Sequence, residues 1–196
     1  KFNPLQLGIF DGLKKHAVLL LVLAPVFAVY TLKAMSRNAD WYKDYTLFSR
    51  DVKYFNNSTH LLFYWGNHIS SSERHEMITA EGKAAGESDA VIAQKIMDAN
   101  KEAIETFKKS MSIYPALPSD GYNQYGKAYY NLRSLNGTYL DSADYYYRKA
   151  HSEDTTNSVF LNNMGTVYFE KAIPSQRIDY YDSAYKYFRM AYARDT

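Results

Sequence analysis

One spacing pattern occurs three times in this chain, and it constrains the fold more than any single motif does. Each copy has a glycine, then an alanine, an aromatic residue, a small residue and a final proline or threonine, with the last four closely spaced. The copies are Gly66, Ala103, Phe107, Ser110 and Pro115; Gly126, Ala143, Tyr147, Ala150 and Thr155; and Gly165, Ala184, Phe188, Ala191 and Thr196. A repeat that cannot bury its apolar face alone must stack on a neighbour, so the pattern predicts a helical repeat array.

The spacing within each copy places its small and aromatic residues on one helix face. Ala143, Tyr147 and Ala150 lie four and then three residues apart, which is the periodicity of an α-helix. The glycine of each copy lies inside an apolar run. Because glycine in a helix costs ~1 kcal/mol relative to alanine, its recurrence indicates a packing role where two helices cross closely.

In order and spacing these residues resemble the tetratricopeptide repeat (TPR). Tyr125, Gly126 and Tyr129 match the first helix of a TPR unit, and Ala143 and Tyr147 match the second. The resemblance covers roughly residues 57–196. It implies an all-α, TPR helical-hairpin array over residues 58–196, with about three repeats and an insertion at residues 70–98. From Ser88, a plausible N-cap, the pattern predicts one long helix that continues to Pro115, whereas the polar first half of the insertion favours a loop or weak helix.

The first helix of each TPR unit lines the concave face, so polar residues beside its glycine are the candidate contacts with a protein or peptide partner. These groove candidates are Asn67, Asn123, Lys127, Tyr130, Asn162 and Asn163. A carboxamide both donates and accepts hydrogen bonds, which suits recognition of an extended peptide. The alternative interpretation is that these are solvated helix residues without a ligand.

An uncharged, apolar run from Ala17 to Leu32 precedes the repeats. It approaches the ~20 apolar residues that span a bilayer, and Pro25 is better tolerated in a membrane helix than in a soluble one. Aromatic residues follow it, as in an interfacial belt; they are Trp41, Tyr42 and Tyr45. A buried core helix and a signal peptide are the alternatives.

We therefore predict one transmembrane helix over residues 16–36, followed by a juxtamembrane and capping helix over residues 37–57 and then the array. Residues 1–15 are predicted to be an interfacial or loop segment. Because the first residue is Lys1 and not methionine, we also expect the sequence to belong to a longer chain.

The junction between the apolar run and the repeats carries a second set of residues in a recognisable order. They are Arg37, Asn38, Trp41, Leu47, Phe48, Asp51, Val52, Asn57, Ser58, His60, Gly66 and Asn67. This junction resembles that of membrane glycosyltransferases with C-terminal TPR arrays, the transmembrane-and-TPR O-mannosyltransferase type and its bacterial relatives. The resemblance implies a membrane protein whose array is periplasmic or lumenal. The catalytic carboxylates of such enzymes lie in an early membrane loop that has no counterpart here.

Composition and motifs argue against most chemistry within this segment. The chain has no cysteine and a formal net charge of +2, which excludes thiolate catalysis and gives no pull toward nucleic acid. Histidines occur without the ligand spacing of a zinc site. We read Asp141-Ser142 and Asp182-Ser183 as caps of second helices rather than as nucleophile motifs. No catalytic residue, metal site or cofactor is predicted.

These observations favour a membrane-anchored TPR scaffold that binds a protein or peptide partner. One alternative is the acceptor-recruiting C-terminal region of a polytopic membrane glycosyltransferase. A second is a subunit of a larger envelope or secretion complex, with a lateral interface along four tyrosines of the last repeat. Those tyrosines are Tyr180, Tyr181, Tyr185 and Tyr187.

Overall fold

The computed structural model describes residues 17–40 and 44–195, and every regular element in these ranges is a helix, which confirms the predicted all-α class. The helices are α1 (Ala17–Asp40), α2 (Asp44–Tyr54), α3 (Thr59–Ile69), α4 (Ser72–Ala84), α5 (Asp89–Ile113), α6 (Ser119–Asn131), α7 (Thr138–Glu153), α8 (Ser158–Ser175) and α9 (Ile178–Asp195). The chain divides into two compact units, Lys1–Leu47 and Phe48–Thr196.

The membrane span expected over residues 16–36 is not supported. Within residues 17–40 and 44–195, no helix combines the length and the apolar character that crossing a membrane requires. The predicted segment 1–15 and the anchors Trp41 and Tyr42 lie outside the described residues.

The second unit contains three helix pairs: α3 with α5, α6 with α7, and α8 with α9. The pairs are antiparallel, because residues near the C-terminal end of the first helix contact residues near the N-terminal end of the second. In the middle pair the rings of Tyr129 and Tyr139 lie 6.1 Å apart and those of Tyr125 and Tyr146 4.0 Å apart. Successive pairs also contact each other, α5 with α6 and α7 with α8.

Side-chain caps determine where several helices begin. Ser58, Ser71 and Ser88 each accept a hydrogen bond from the third backbone N–H of the helix that follows. The cap predicted at Ser88 is confirmed, and the long helix α5 that starts there ends before Pro115. The polar half of the insertion forms the helix α4 rather than a loop.

The capping role expected for Asp141-Ser142 and Asp182-Ser183 is wrong. Helix α7 already begins at Thr138 and α9 at Ile178, so both motifs lie inside their helices. The Ser142 and Ser183 hydroxyls donate to carbonyls four residues earlier, and the Asp141 carboxylate pairs with Lys171 of α8 at 2.6 Å.

The recurrent glycines allow the two helices of each pair to approach closely. A Cβ placed on Gly66 would lie 3.1 Å from the Phe107 ring, and one on Gly126 would lie 2.7 Å from the Tyr147 ring. In the last pair a Cβ on Gly165 would lie 2.8 Å from the ring of Phe188. The same glycine-to-aromatic contact therefore closes all three pairs, which confirms the packing role that the sequence predicts.

Replacing Gly126 with alanine is expected to destabilise the fold by about 1–3 kcal/mol, because the added methyl group must displace the buried Tyr147 ring. The matched control is Gly137→Ala, since a Cβ at Gly137 meets open space. Thermal or chemical unfolding followed by circular dichroism checks both. Equal stability of the two variants would contradict the packing role.

Candidate functional site

Polar residues of the two first helices α6 and α8 meet along one shared groove. On α6, Asn123, Lys127 and Asn131 recur every four residues and so lie on one face. The Asn163 amide of α8 donates to Asn123 Oδ1 at 2.7 Å, which fixes the two helices side by side. The stacking of helix pairs thus places the polar stripe of α6 against that of α8.

The groove contains a cavity of about 160 Å³. We call this surface the α6–α8 groove. The residues that line it are Lys127, Tyr130, Asn131, Tyr147, Asn163 and Thr166. Small-molecule sites usually have volumes of ~300–1,000 Å³. The cavity is therefore sized for a single side chain of a partner and not for a cofactor.

The structure brings together only part of the set of groove candidates. Lys127, Tyr130 and Asn163 line the cavity. Asn123 is only 8% exposed, and its side-chain oxygen accepts the hydrogen bond from Asn163. It therefore links α6 to α8 and is not available to a ligand. Asn162 is exposed on α8 outside the cavity lining.

Asn67 is half-buried on α3, where its backbone carbonyl accepts a 3.3 Å hydrogen bond from the Ser70 hydroxyl. It does not line the cavity. Asn67 is therefore the one groove candidate on α3, and it lies outside the set that lines the cavity.

Three lining residues were missed by the sequence analysis: Asn131, Tyr147 and Thr166. Asn131 follows Lys127 by four residues, and Thr166 follows Asn163 by three. Helical periodicity therefore places both on the same faces as the groove candidates. Tyr147 carried no such signal, because the repeat pattern marks it as an ordinary core ring.

A buried hydrogen-bond chain connects the inserted helix to the groove. Asn100 of α5 is fully buried and accepts a 2.9 Å hydrogen bond from Asn131. Its own amide nitrogen donates to the Ile96 carbonyl at 2.7 Å and lies 3.1 Å from His75 Nε2. Because an amide nitrogen only donates, His75 Nε2 accepts and is unprotonated in this arrangement.

The charged side chains at and beside the groove differ in whether an opposite charge neutralises them. Glu170 accepts a 2.8 Å hydrogen bond from the Tyr130 hydroxyl and pairs with Arg133 at 3.1 Å. Burial and this bond to Glu170 raise the pKa of Tyr130 to about 12. The ammonium group of Lys127, in contrast, donates a 3.1 Å hydrogen bond to the Ser72 hydroxyl and has no ion pair among the described residues.

His60 and His68 do not line this groove. His60 contacts the ring of Tyr64 edge-on, and His68 stacks on Trp65. In the part of the chain that the structure describes, no group of three or more histidine, aspartate or glutamate side chains is arranged to hold a metal ion.

No protein-family model matches the chain, and no curated protein matches its sequence. The candidate site is accordingly defined by the geometry of this chain's own residues.

Stability is expected to fall as the pH is lowered below about 6.5, the ordinary histidine pKa. Burial, and then the positive charge of Lys127, lower the pKa of His75 in the folded state. The unfolded chain therefore binds the proton more readily, and the stability present above this pH is lost as the pH falls through the folded pKa. Urea unfolding at a series of pH values measures the slope.

The matched variant is His75→Gln, whose side-chain oxygen also accepts from Asn100 but does not titrate. We expect a shallower loss of stability at acid pH than in the unmodified chain. A smaller slope persists, because burial and Arg194 also lower the pKa of His151. An unchanged slope would show that His75 does not carry the effect.

Proposed function

We propose that residues 58–196 form a TPR-type array whose α6–α8 groove binds an extended segment of a partner protein. Three antiparallel helix pairs, each closed by a glycine against an aromatic ring, support the TPR assignment. The proposed function is that of a scaffold which recruits or positions a partner. Its chemistry is recognition, not catalysis.

The observation that carries the proposal is the ammonium group of Lys127 at the edge of a cavity for one side chain. Its hydrogen-bond partner is a neutral serine hydroxyl, so its charge is not neutralised within the described residues. A carboxylate inserted into the cavity would gain a charge-assisted hydrogen bond, which is roughly twice as strong as a neutral one. The proposed ligand therefore has an aspartate, a glutamate or a C-terminal carboxylate at this position.

Two asparagines supply further fixed groups for a peptide. The amide nitrogens of Asn131 and Asn163 are held by Asn100 and Asn123. Their side-chain oxygens have no hydrogen-bond partner among the described residues and remain as acceptors. Because the internal bonds already fix both side chains, accepting a backbone N–H costs little additional conformational entropy.

The test uses the whole chain and immobilised short peptides in pairs that differ only by glutamate replaced with glutamine. We expect the chain to prefer the acidic member of a pair. Lys127→Gln should weaken binding of the acidic member about tenfold, or ~1.4 kcal/mol, and leave the glutamine member unchanged.

The matched control is Lys109→Gln, which removes the same charge from an exposed position on α5. It should keep the preference for acidic peptides. Binding without any acidic preference, or equal loss in the two lysine variants, would show that general electrostatic attraction and not the groove is responsible.

A further inference from the structure

Helix α9 presents an aromatic face that is uncovered in the described part of the chain. Ile178 is 75% exposed, Tyr181 40% and Tyr185 68%. Of the four tyrosines predicted to form a lateral interface, Tyr181 and Tyr185 lie on this face. Tyr180 and Tyr187 pack their rings against Tyr168 of α8, and Tyr181 contacts Phe169 of α8 only edge-on.

The repeat register identifies what this face corresponds to in the preceding pair. Ala143 of α7 and Ala184 of α9 occupy the same position of the repeat. By the same register, three residues of α7 have counterparts on the exposed face of α9. Leu140 corresponds to Tyr181, Asp141 to Asp182, and Arg148 to Arg189.

On α7 these positions make the contact with the next helix pair. Leu140 is 8% exposed and belongs to a core cluster with Met164 and Val167 of α8. Asp141 pairs with Lys171 of α8 at 2.6 Å. Arg148 donates to the hydroxyl of Tyr168, also on α8, at 2.9 Å.

On α9 the two charged positions have no partner among the described residues, and Tyr181 makes an edge-on ring contact with Phe169 of α8 at 6.1 Å. Asp182 and Arg189 are exposed, and neither forms a hydrogen bond or an ion pair with another described residue. The face thus has the composition of an inter-pair contact, with aromatic rings flanked by two opposite charges, and no helix of the described part of the chain covers it.

We propose that a second copy of this chain covers the face, with the two α9 helices packed antiparallel about a two-fold axis near Tyr185. Asp182 and Arg189 lie seven residues apart, which is about two helical turns. An antiparallel partner reverses this order, so Asp182 of each copy lies opposite Arg189 of the other. The face is therefore complementary to itself, as a two-fold interface requires.

The apolar part of the face fits the same arrangement. Tyr185 lies between the two charges and meets its own equivalent at the axis, where paired aromatic rings contribute ~0.5–1.5 kcal/mol beyond their buried area. Tyr181 extends the stripe on one side of the axis. A single helix pair buries less surface than most stable complexes, so dimerisation is expected to depend on concentration.

Sedimentation velocity over a series of concentrations of the whole chain tests the proposal. We expect a monomer–dimer equilibrium. Asp182→Arg and Arg189→Asp should each shift it to monomer, because like charges then face each other, with the dissociation constant raised about tenfold or more. An equimolar mixture of the two variants should dimerise again, since each copy then offers the charges that the other lacks.

A second readout uses the absence of cysteine from the chain. Tyr185→Cys should give a covalent dimer with a short bismaleimide, because the two thiols lie near the axis. The matched control Tyr145→Cys, at a tyrosine 53% exposed on α7, should remain monomeric. Circular dichroism of each variant confirms that these surface changes leave the helices folded.

Several outcomes would overturn the proposal. They are a chain that stays monomeric at all concentrations, a dimer unaffected by either charge reversal, and a mixture of the two variants that fails to re-associate. None of them bears on peptide binding by the α6–α8 groove, which lies on other helices.

Discussion

The contact between a glycine and an aromatic ring is the constraint on which the second unit depends. Gly66 faces Phe107, Gly126 faces Tyr147 and Gly165 faces Phe188, and a Cβ on any of these glycines would crowd the facing ring at 2.7–3.1 Å. The missing side chain lets two helices approach closely, and the ring fills the space beside them. Because every pair uses the same contact, the pairs have similar geometry and stack in series, so that α6 and α8 come side by side.

The polar groups follow from that stacking. Asn123 and Asn163 bridge α6 and α8, and Asn100 joins Asn131 to His75 of the inserted helix α4. A buried asparagine is costly unless its groups are bonded, and here both groups of Asn100 have partners. The network therefore holds the groove side chains in position, while Lys127 at its edge retains a charge that no described residue neutralises. The proposed carboxylate ligand would supply the missing counter-charge.

Equivalent positions of the repeat serve two different purposes on α7 and on α9. Asp141 and Arg148 reach across to α8 and connect neighbouring pairs within the chain. Their counterparts Asp182 and Arg189 are of the same charge and lie on the same face of α9, but no following helix is described there. Repeat proteins build internal and external contacts from the same positions, since each unit presents the same faces to whatever lies next to it.

The sequence by itself determined the repeated helix pairs, the Ser88 cap, the long helix α5 and the packing role of the recurrent glycines, because these depend on periodicity and on residues close together along the chain. It misjudged the capping role of Asp141-Ser142 and Asp182-Ser183, and it left open whether the polar half of the insertion is a loop or the helix that the structure has. Only the tertiary structure decided that Asn123 is buried while Lys127 and Asn163 share a cavity, and that His75 reaches Asn100. The reason is that the exposure and partners of a polar side chain depend on helices distant in the sequence, whose separation and rotation no local pattern specifies.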